Sequence, residues 1–188
     1  FMQAGFTLLE SGMTRSKNSG NIAMKKFMYI SVATITVWAV GYGFVYGGDK
    51  ILGGFLSNGG IWMNEGLGAH DVFFQTVFAA TAATIVSGAI AGRAKYSTYI
   101  IFTVALTAII YPISAGWQWF GDGAFLYDLG FIDFAGSSIV HSVGGWAGLA
   151  GALLLGARKG KYDSQGNIHP MPASSLPLST LGTFVLWL

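Results

Sequence analysis

Residues 27–48 read FMYISVATITVWAVGYGFVYGG, a run of 22 positions between Lys26 and Asp49 without a single charge. A helix crossing the hydrocarbon core of a bilayer needs about 20 mainly apolar residues, so this run is long enough to span. Working outward by the same measure gives 21 uncharged positions between Asp71 and Arg93, 26 between Lys95 and Asp122, and 24 between Asp133 and Arg158. Four complete spans are therefore predicted, with apolar segments from Phe1 and from Leu176 to Leu188 read as cut helices at either end. The composition agrees: only 10% of residues are charged, 53% are hydrophobic and the mean hydropathy is +0.56. A soluble domain carries about 25% charged residues, so a water-soluble enzyme is excluded, and disorder fails because hydrophobicity is high and net charge only +2. The expected fold is an all-α polytopic transmembrane helix bundle, a single domain over residues 1–188.

Basic residues collect on the inner side of a membrane protein. Arg15, Lys17, Lys25 and Lys26 fall in the first connection, Arg93 and Lys95 in the third, and Arg158, Lys159 and Lys161 in the fifth. Asp49, Glu65, Asp71, Asp122, Asp128 and Asp133 fall in the second and fourth, with Lys50 as their sole base. The inner side then carries about +7 and the outer side −5, which orients the first helix with its N-terminus outside. The acidic outer face favours a cationic solute. No basic patch suits a nucleic acid. Gly144 and Gly148, Ala147 and Gly151, and Ala152 and Gly156 place small residues four apart, a pattern that lets helices approach closely in lipid. With the alanines of residues 79–83, this predicts the third and fifth spans inside the bundle.

His141 is the sole ionisable side chain within a predicted span, about 12 Å deeper than Asp133 if the helix is continuous. It reads either as a packing residue bonded to a neighbouring helix or as a functional group, the default for such a position. No second histidine or acid shares its face, so a metal site is not expected. Trp117 and Trp119 end the fourth span, where tryptophan serves as an interfacial belt or as a platform for a small cation. Phe73, Phe74 and Phe78 open the third span, and Asp133 precedes the fifth, where a carboxylate caps free backbone donors. No triad, phosphate loop or paired carboxylate gives enzymatic chemistry a footing, and no cofactor is expected.

Three signatures occur in order: Phe1-Met2-Gln3-Ala4-Gly5-Phe6 through Glu10 to Arg15, Lys17 and Asn18; Phe74-Gln75 with Phe78; and Asp133-Phe134-Ala135-Gly136 leading to Val140-His141. Together they resemble the ammonium transporters of the Amt/Mep/Rh type, in the Amt-like branch, over the whole chain. The resemblance implies the first half of an eleven-span inverted-repeat transporter: part of helix 1, helices 2–5 and the start of helix 6. It implies that Trp119 belongs to an outer ammonium recruitment site. By the same resemblance, Phe78, with Phe74 nearby, is expected to close the pore mouth, His141 to be the first of a pore histidine pair, and Asp133 to be a buried aspartate orienting the outer site. It further implies ammonium or ammonia as substrate, a homotrimer in the cell (inner) membrane, and a PII-type regulatory protein as partner at the cytoplasmic face. Two positions depart from the family pattern: Gly116 stands where many members have histidine, and Gly92 replaces a frequent glutamate. An ammonium sensor domain is the alternative, whereas an Rh-like gas channel usually lacks the tryptophan found at Trp119.

Overall fold

A computed structural model describes residues 1–62 and 68–188; Glu65, counted above among the outer acids, lies outside the described residues. The main helices are α1 (Met2–Met13), α2 (Ser16–Tyr46), α3 (Ala69–Ile90), α4 (Tyr96–Trp119), α5 (Phe125–Asp128), α6 (Ile139–Leu155) and α7 (Leu176–Trp187). A two-stranded antiparallel hairpin, β1 (Lys50–Ile51) and β2 (Leu56–Ser57), lies between α2 and α3. α2, α3 and α4 are long and apolar enough to cross a membrane. They alternate in direction: Tyr29 and Thr36 of α2 meet Tyr99 and Thr107 of α4 in the same order, whereas Lys26 and Tyr42 of α2 lie beside Thr84 and Gln75 of α3 in the opposite order. The core lies where they meet, around Tyr29, Ala33, Ala79, Ala83, Tyr99 and Leu106.

α2 and α4 each widen into a π-turn, over Val37–Gly41 and Leu106–Ile110. In α4 the cause is Pro112, which has no N–H to donate and whose ring crowds the carbonyl one turn back. The two widened turns face each other. The Thr36 and Thr107 hydroxyl oxygens lie 2.6 Å apart, and a Cβ on Gly41 would come within 2.8 Å of the Thr107 carbonyl oxygen. Backbone irregularity at membrane depth is therefore covered by a partner helix, the condition under which lipid tolerates it.

Two expectations need correction. The fourth uncharged run is not one continuous helix: residues 133–138 form a loop, and α6 begins at Ile139 with 17 residues. The physical reason is Asp133, whose carboxylate takes up the backbone N–H groups of residues 136–139 and bends the chain around itself. His141 therefore sits in the first turn of α6, and the 12 Å depth does not apply. Second, Lys25 and Lys26 do not belong to an aqueous connection. They lie within α2, each 1% exposed, so His141 is not the sole ionisable group in a helix that spans. Of the two helices expected inside the bundle, α3 is interior, and α6 packs on it in this chain by the face that carries its small residues. Ser142, Gly145, Trp146 and Leu149 remain exposed on the opposite face of α6.

The small-residue stripe makes the contact that its spacing predicts. A Cβ on Gly144 would lie 2.9 Å from the Ala82 carbonyl oxygen and 2.8 Å from the Ile85 Cβ, while Gly148 faces the Ala89 methyl. A second close contact joins α1 to α7, where a Cβ on Gly182 would come within 2.8 Å of the Gly5 carbonyl oxygen. The connection from Lys159 to Pro177, expected as a simple polar loop, carries a Tyr162–Ile168 bridge. It then docks on the end of α1 through Ser174 N–H to the Thr14 carbonyl, 3.1 Å, and Ser175 N–H to the Gly12 carbonyl, 3.2 Å.

Candidate functional site

Aromatic side chains at the end of the bundle carrying the hairpin enclose an open cavity of about 290 Å³, lined by Tyr46, Phe74, Gln75, Phe78, Trp119, Phe134 and Ala135. Helical spacing places Phe74 and Phe78 one turn apart on α3, with ring centroids 5.0 Å apart and edge to face. Phe78 continues to Trp119, 5.4 Å away and tilted by 55°. The indole ring is fixed as well as packed, because its Nε1 donates to the Asp133 carbonyl oxygen at 2.8 Å. Trp117 lies apart: its Nε1 donates to the Phe55 carbonyl at 2.9 Å, and its ring packs against Phe55 and Phe125.

Asp133 organises this end of the molecule. Its Oδ1 accepts from Gly136 N–H at 2.7 Å and Ser137 N–H at 3.0 Å, and its Oδ2 from Ser138 N–H at 2.9 Å and Ile139 N–H at 2.7 Å. Burial alone would raise its carboxyl, but these four donors outweigh burial and hold it below the usual carboxylate range. The aspartate thus satisfies the free N–H groups at the start of α6 from several residues upstream, whereas the N-cap position itself is Ser138. Its charge is held by its own loop and does not line the cavity.

Gly136 joins the two halves of the site. Its N–H is held by Asp133, and its carbonyl lies 3.1 Å from His141 Nδ1. A Cβ there would be 3.3 Å from Cη2 of Trp119, and φ is +81°, a conformation that favours glycine. A carbonyl beside Nδ1 requires a proton on that nitrogen, which leaves Nε2 of a neutral ring as an acceptor. The His141 ring is on the exposed side of α6, so no neighbouring described helix encloses it.

Every site residue named from the sequence is placed on this end. Phe74, Phe78 and Trp119 meet around the cavity; Asp133 supports Trp119 through its carbonyl; His141 is linked through Gly136 and does not line the cavity. Tyr46, Gln75, Phe134 and Ala135 complete the lining and were not assigned to it from sequence. The DFAG run was the available signal for Phe134, since a carboxylate bound by its own loop turns the next side chain outward, and Phe134 is 97% exposed. At Gly116 the missing side chain leaves room for Lys50, whose Nζ lies 2.9 Å from the position of a Cβ and 4.4 Å from the Phe120 ring centroid. Chemically, ring faces without a lining carboxylate attract a small cation by about 0.5–2 kcal/mol each, depending on hydration.

A second polar cluster lies within the bundle and went unread. Lys26 forms an ion pair with Glu10 and donates to Thr84, while Ser87 donates to the other Glu10 oxygen at 3.1 Å. Tyr29 and Phe6 turn ring faces to the same ammonium, at 5.3 and 5.5 Å. The cluster ties α1, α2 and α3 together. Among the described residues, no group of three or more acidic or histidine side chains is arranged to hold a metal ion.

The family model described as Ammonium Transporter Family matches residues 1–188. The ammonium transporter Amt2 of Archaeoglobus fulgidus is 44% identical over all of the chain and 42% of its own length. Ammonium transporter 3 of Dictyostelium discoideum is 38% identical, with 100% and 43% covered. Among solved structures, a protein titled Sensor Amt Protein superposes with a TM-score of 0.91 at 39% identity, over 99% of this chain and 48% of that one. Mep2 of Candida albicans superposes at 0.80 and 30%, over 99% and 42%. The chain thus spans less than half the length of these relatives.

Proposed function

Because the chain belongs to the ammonium transporter family, we propose that it is the first half of a multi-pass membrane protein that transports ammonium. In this half, Trp119, Phe78 and Phe74 form the recruitment site and pore mouth, with His141 lining the pore beneath. The observation that carries this reading is the Asp133–Gly136 loop, which holds the Trp119 indole on one side and the His141 ring on the other. Ring faces recruit the cation, which cannot enter mid-bilayer without a large desolvation cost, whereas neutral ammonia can. The cation therefore passes its proton to water in the open cavity, as NH4+ + H2O → NH3 + H3O+, the hydronium returning to the outer solution while ammonia continues. His141, with Nδ1 engaged by Gly136, offers Nε2 as an acceptor to an N–H of the passing molecule. Potassium has no proton to give up, which supplies selectivity.

The same reading places part of helix 1, helices 2–5 and the start of helix 6 in residues 1–188, the remaining half completing the pore over the exposed face of α6. It carries a homotrimer in the cell (inner) membrane and a PII-type regulatory protein as partner at the inner face. The second reading, an ammonium sensor domain, is favoured by the TM-score of 0.91 to the sensor protein. Flux separates the two. Full-length protein in proteoliposomes is expected to pass ammonium and exclude potassium, with His141→Ala abolishing or slowing uptake. His141→Glu or His141→Asp should keep some flux while admitting potassium. Wild-type rate and selectivity in His141→Ala would return His141 to a packing role, and a folded protein with no flux would favour the sensor.

A further inference from the structure

The end of the bundle opposite the aromatic cavity carries three guanidinium groups and a lysine that no acid pairs among the described residues of this chain. Arg93 follows α3, and its two Nη groups donate to the carbonyls of Ala89, at 2.6 Å, and Gly156. Arg158 follows α6, and its Nε donates back to the Ala91 carbonyl at 2.8 Å. Each arginine thus clasps the C-terminal end of the other's helix. That use leaves Arg93 Nε buried without a partner and the Arg158 Nη groups without a hydrogen bond among the described residues. Lys161 Nζ likewise has no partner there. Arg93, Arg158 and Lys161 line one cavity of about 250 Å³ with Ala157, Tyr162 and Met171, and Arg15 reaches Arg158 across a smaller adjoining recess.

Charge does not cancel at this place. Two helix C-termini contribute about half a negative charge each, against four basic side chains. The nearest acid in sequence is Asp163, and its carboxylate is taken by its own turn. It accepts from the backbone N–H groups of Gln165 and Asn167, both at 2.8 Å, and from Asn167 Nδ2 at 2.9 Å, with His169 Nε2 at 3.5 Å. Burial first, and then the neighbouring Arg93 and Arg15 charges, push the Arg158 guanidinium below its ordinary value.

We propose that this cavity binds a phosphate group, either of an anionic phospholipid head or of a free phosphate. Donors on three separate residues suit a tetrahedral oxyanion better than a two-oxygen carboxylate, which one guanidinium fork already satisfies. The volume lies below the roughly 300–1,000 Å³ of pockets for drug-sized ligands and fits a single head group with its water. The positive-inside distribution places the cavity at the inner interface, where basic pockets between helices meet anionic lipid heads.

The test uses full-length protein in neutral detergent. Native mass spectrometry compares bound phosphatidylglycerol with phosphatidylcholine, and calorimetry follows inorganic phosphate added to delipidated protein. Phosphatidylglycerol retained in preference to phosphatidylcholine identifies a lipid head, and a phosphate titration identifies a soluble ligand; either supports the site. Lys161→Gln should weaken the retained ligand about fivefold, the worth of one basic side chain at an anionic surface, and Lys161→Glu should weaken it further. Lys17→Gln, an exposed lysine on the same side and outside the cavity, should leave binding unchanged. Equal retention of both lipids with a silent phosphate titration overturns the proposal, as does equal weakening by Lys17→Gln and Lys161→Gln.

Discussion

The Asp133 carboxylate accepts four backbone N–H groups while its carbonyl holds Trp119, so one residue sets both the start of α6 and the wall of the aromatic cavity. Its folded value lies below the unfolded one, so it stabilises the fold above the unfolded pKa of about 3.9 and loses that contribution as pH falls through the folded value. The loop is therefore expected to stay closed through neutral pH and to open only in acid below about pH 4, read as the Trp119 fluorescence difference between wild type and Trp119→Phe. Asp133→Ala removes the acceptor for all four donors and should cost about 3 kcal/mol or more, measured as a fall in thermal midpoint. Trp119→Leu keeps the bundle but removes the ring face; losing about 1 kcal/mol predicts a roughly fivefold rise in half-saturation for ammonium-evoked current. An unchanged concentration dependence would reduce Trp119 to an interfacial residue. Asp133 was legible in the sequence because a carboxylate ahead of a helix caps free backbone donors, whereas Trp119 read from its position alone as belt or cation platform and was assigned to the site only by the family resemblance. Tyr46 was not legible, because it reaches the cavity from α2, far from any of the motifs.

At the scale of elements, helix contact is decided by what lies across from each glycine. Gly144→Leu pushes a side chain against the Ala82 carbonyl and Ile85, and overpacking of this kind costs about 1–3 kcal/mol. Gly145→Leu, with nothing within 4 Å of its Cβ position in this chain, is the comparison, and a similar fall in thermal midpoint for both would deny that the α3–α6 contact is special. The spacing rule found this stripe because a helix repeats every 3.6 residues whatever its surroundings. It failed at residues 134–138, which are uncharged like the helix after them, so counting gaps between charges cannot separate loop from span. It failed again at Lys25 and Lys26, because the partner Glu10 lies on another helix and its pairing is invisible to a local reading. Breaking a buried pair by removing one member costs about 3–5 kcal/mol, while removing both is often tolerated. Glu10→Gln alone is thus expected to destabilise more than the double change Glu10→Gln with Lys26→Met, a non-additivity that a double-mutant cycle measures.

For the whole molecule, the charge pattern and the three-dimensional ends agree. Arg15, Arg93 and Arg158 gather where α3 and α6 finish, while Trp117, Trp119 and Asp133 gather with the β1–β2 hairpin at the opposite end. Nine of ten basic residues were assigned to one side from sequence. That assignment survives the correction at Lys25 and Lys26, since their helix starts at the arginine end. The basic end is therefore expected inside and the aromatic end outside. The chain contains no cysteine, so single replacements report position cleanly if any cysteines in the remaining half are first removed. Asp122→Cys and Lys17→Cys both alter exposed residues, at opposite ends. A membrane-impermeant maleimide applied to intact cells should label Asp122→Cys and reach Lys17→Cys only after permeabilisation. Labelling of Lys17→Cys alone in intact cells would invert the protein. It would then put the aromatic cavity inside, where it could not recruit a cation arriving from the medium, and uptake would need another entrance.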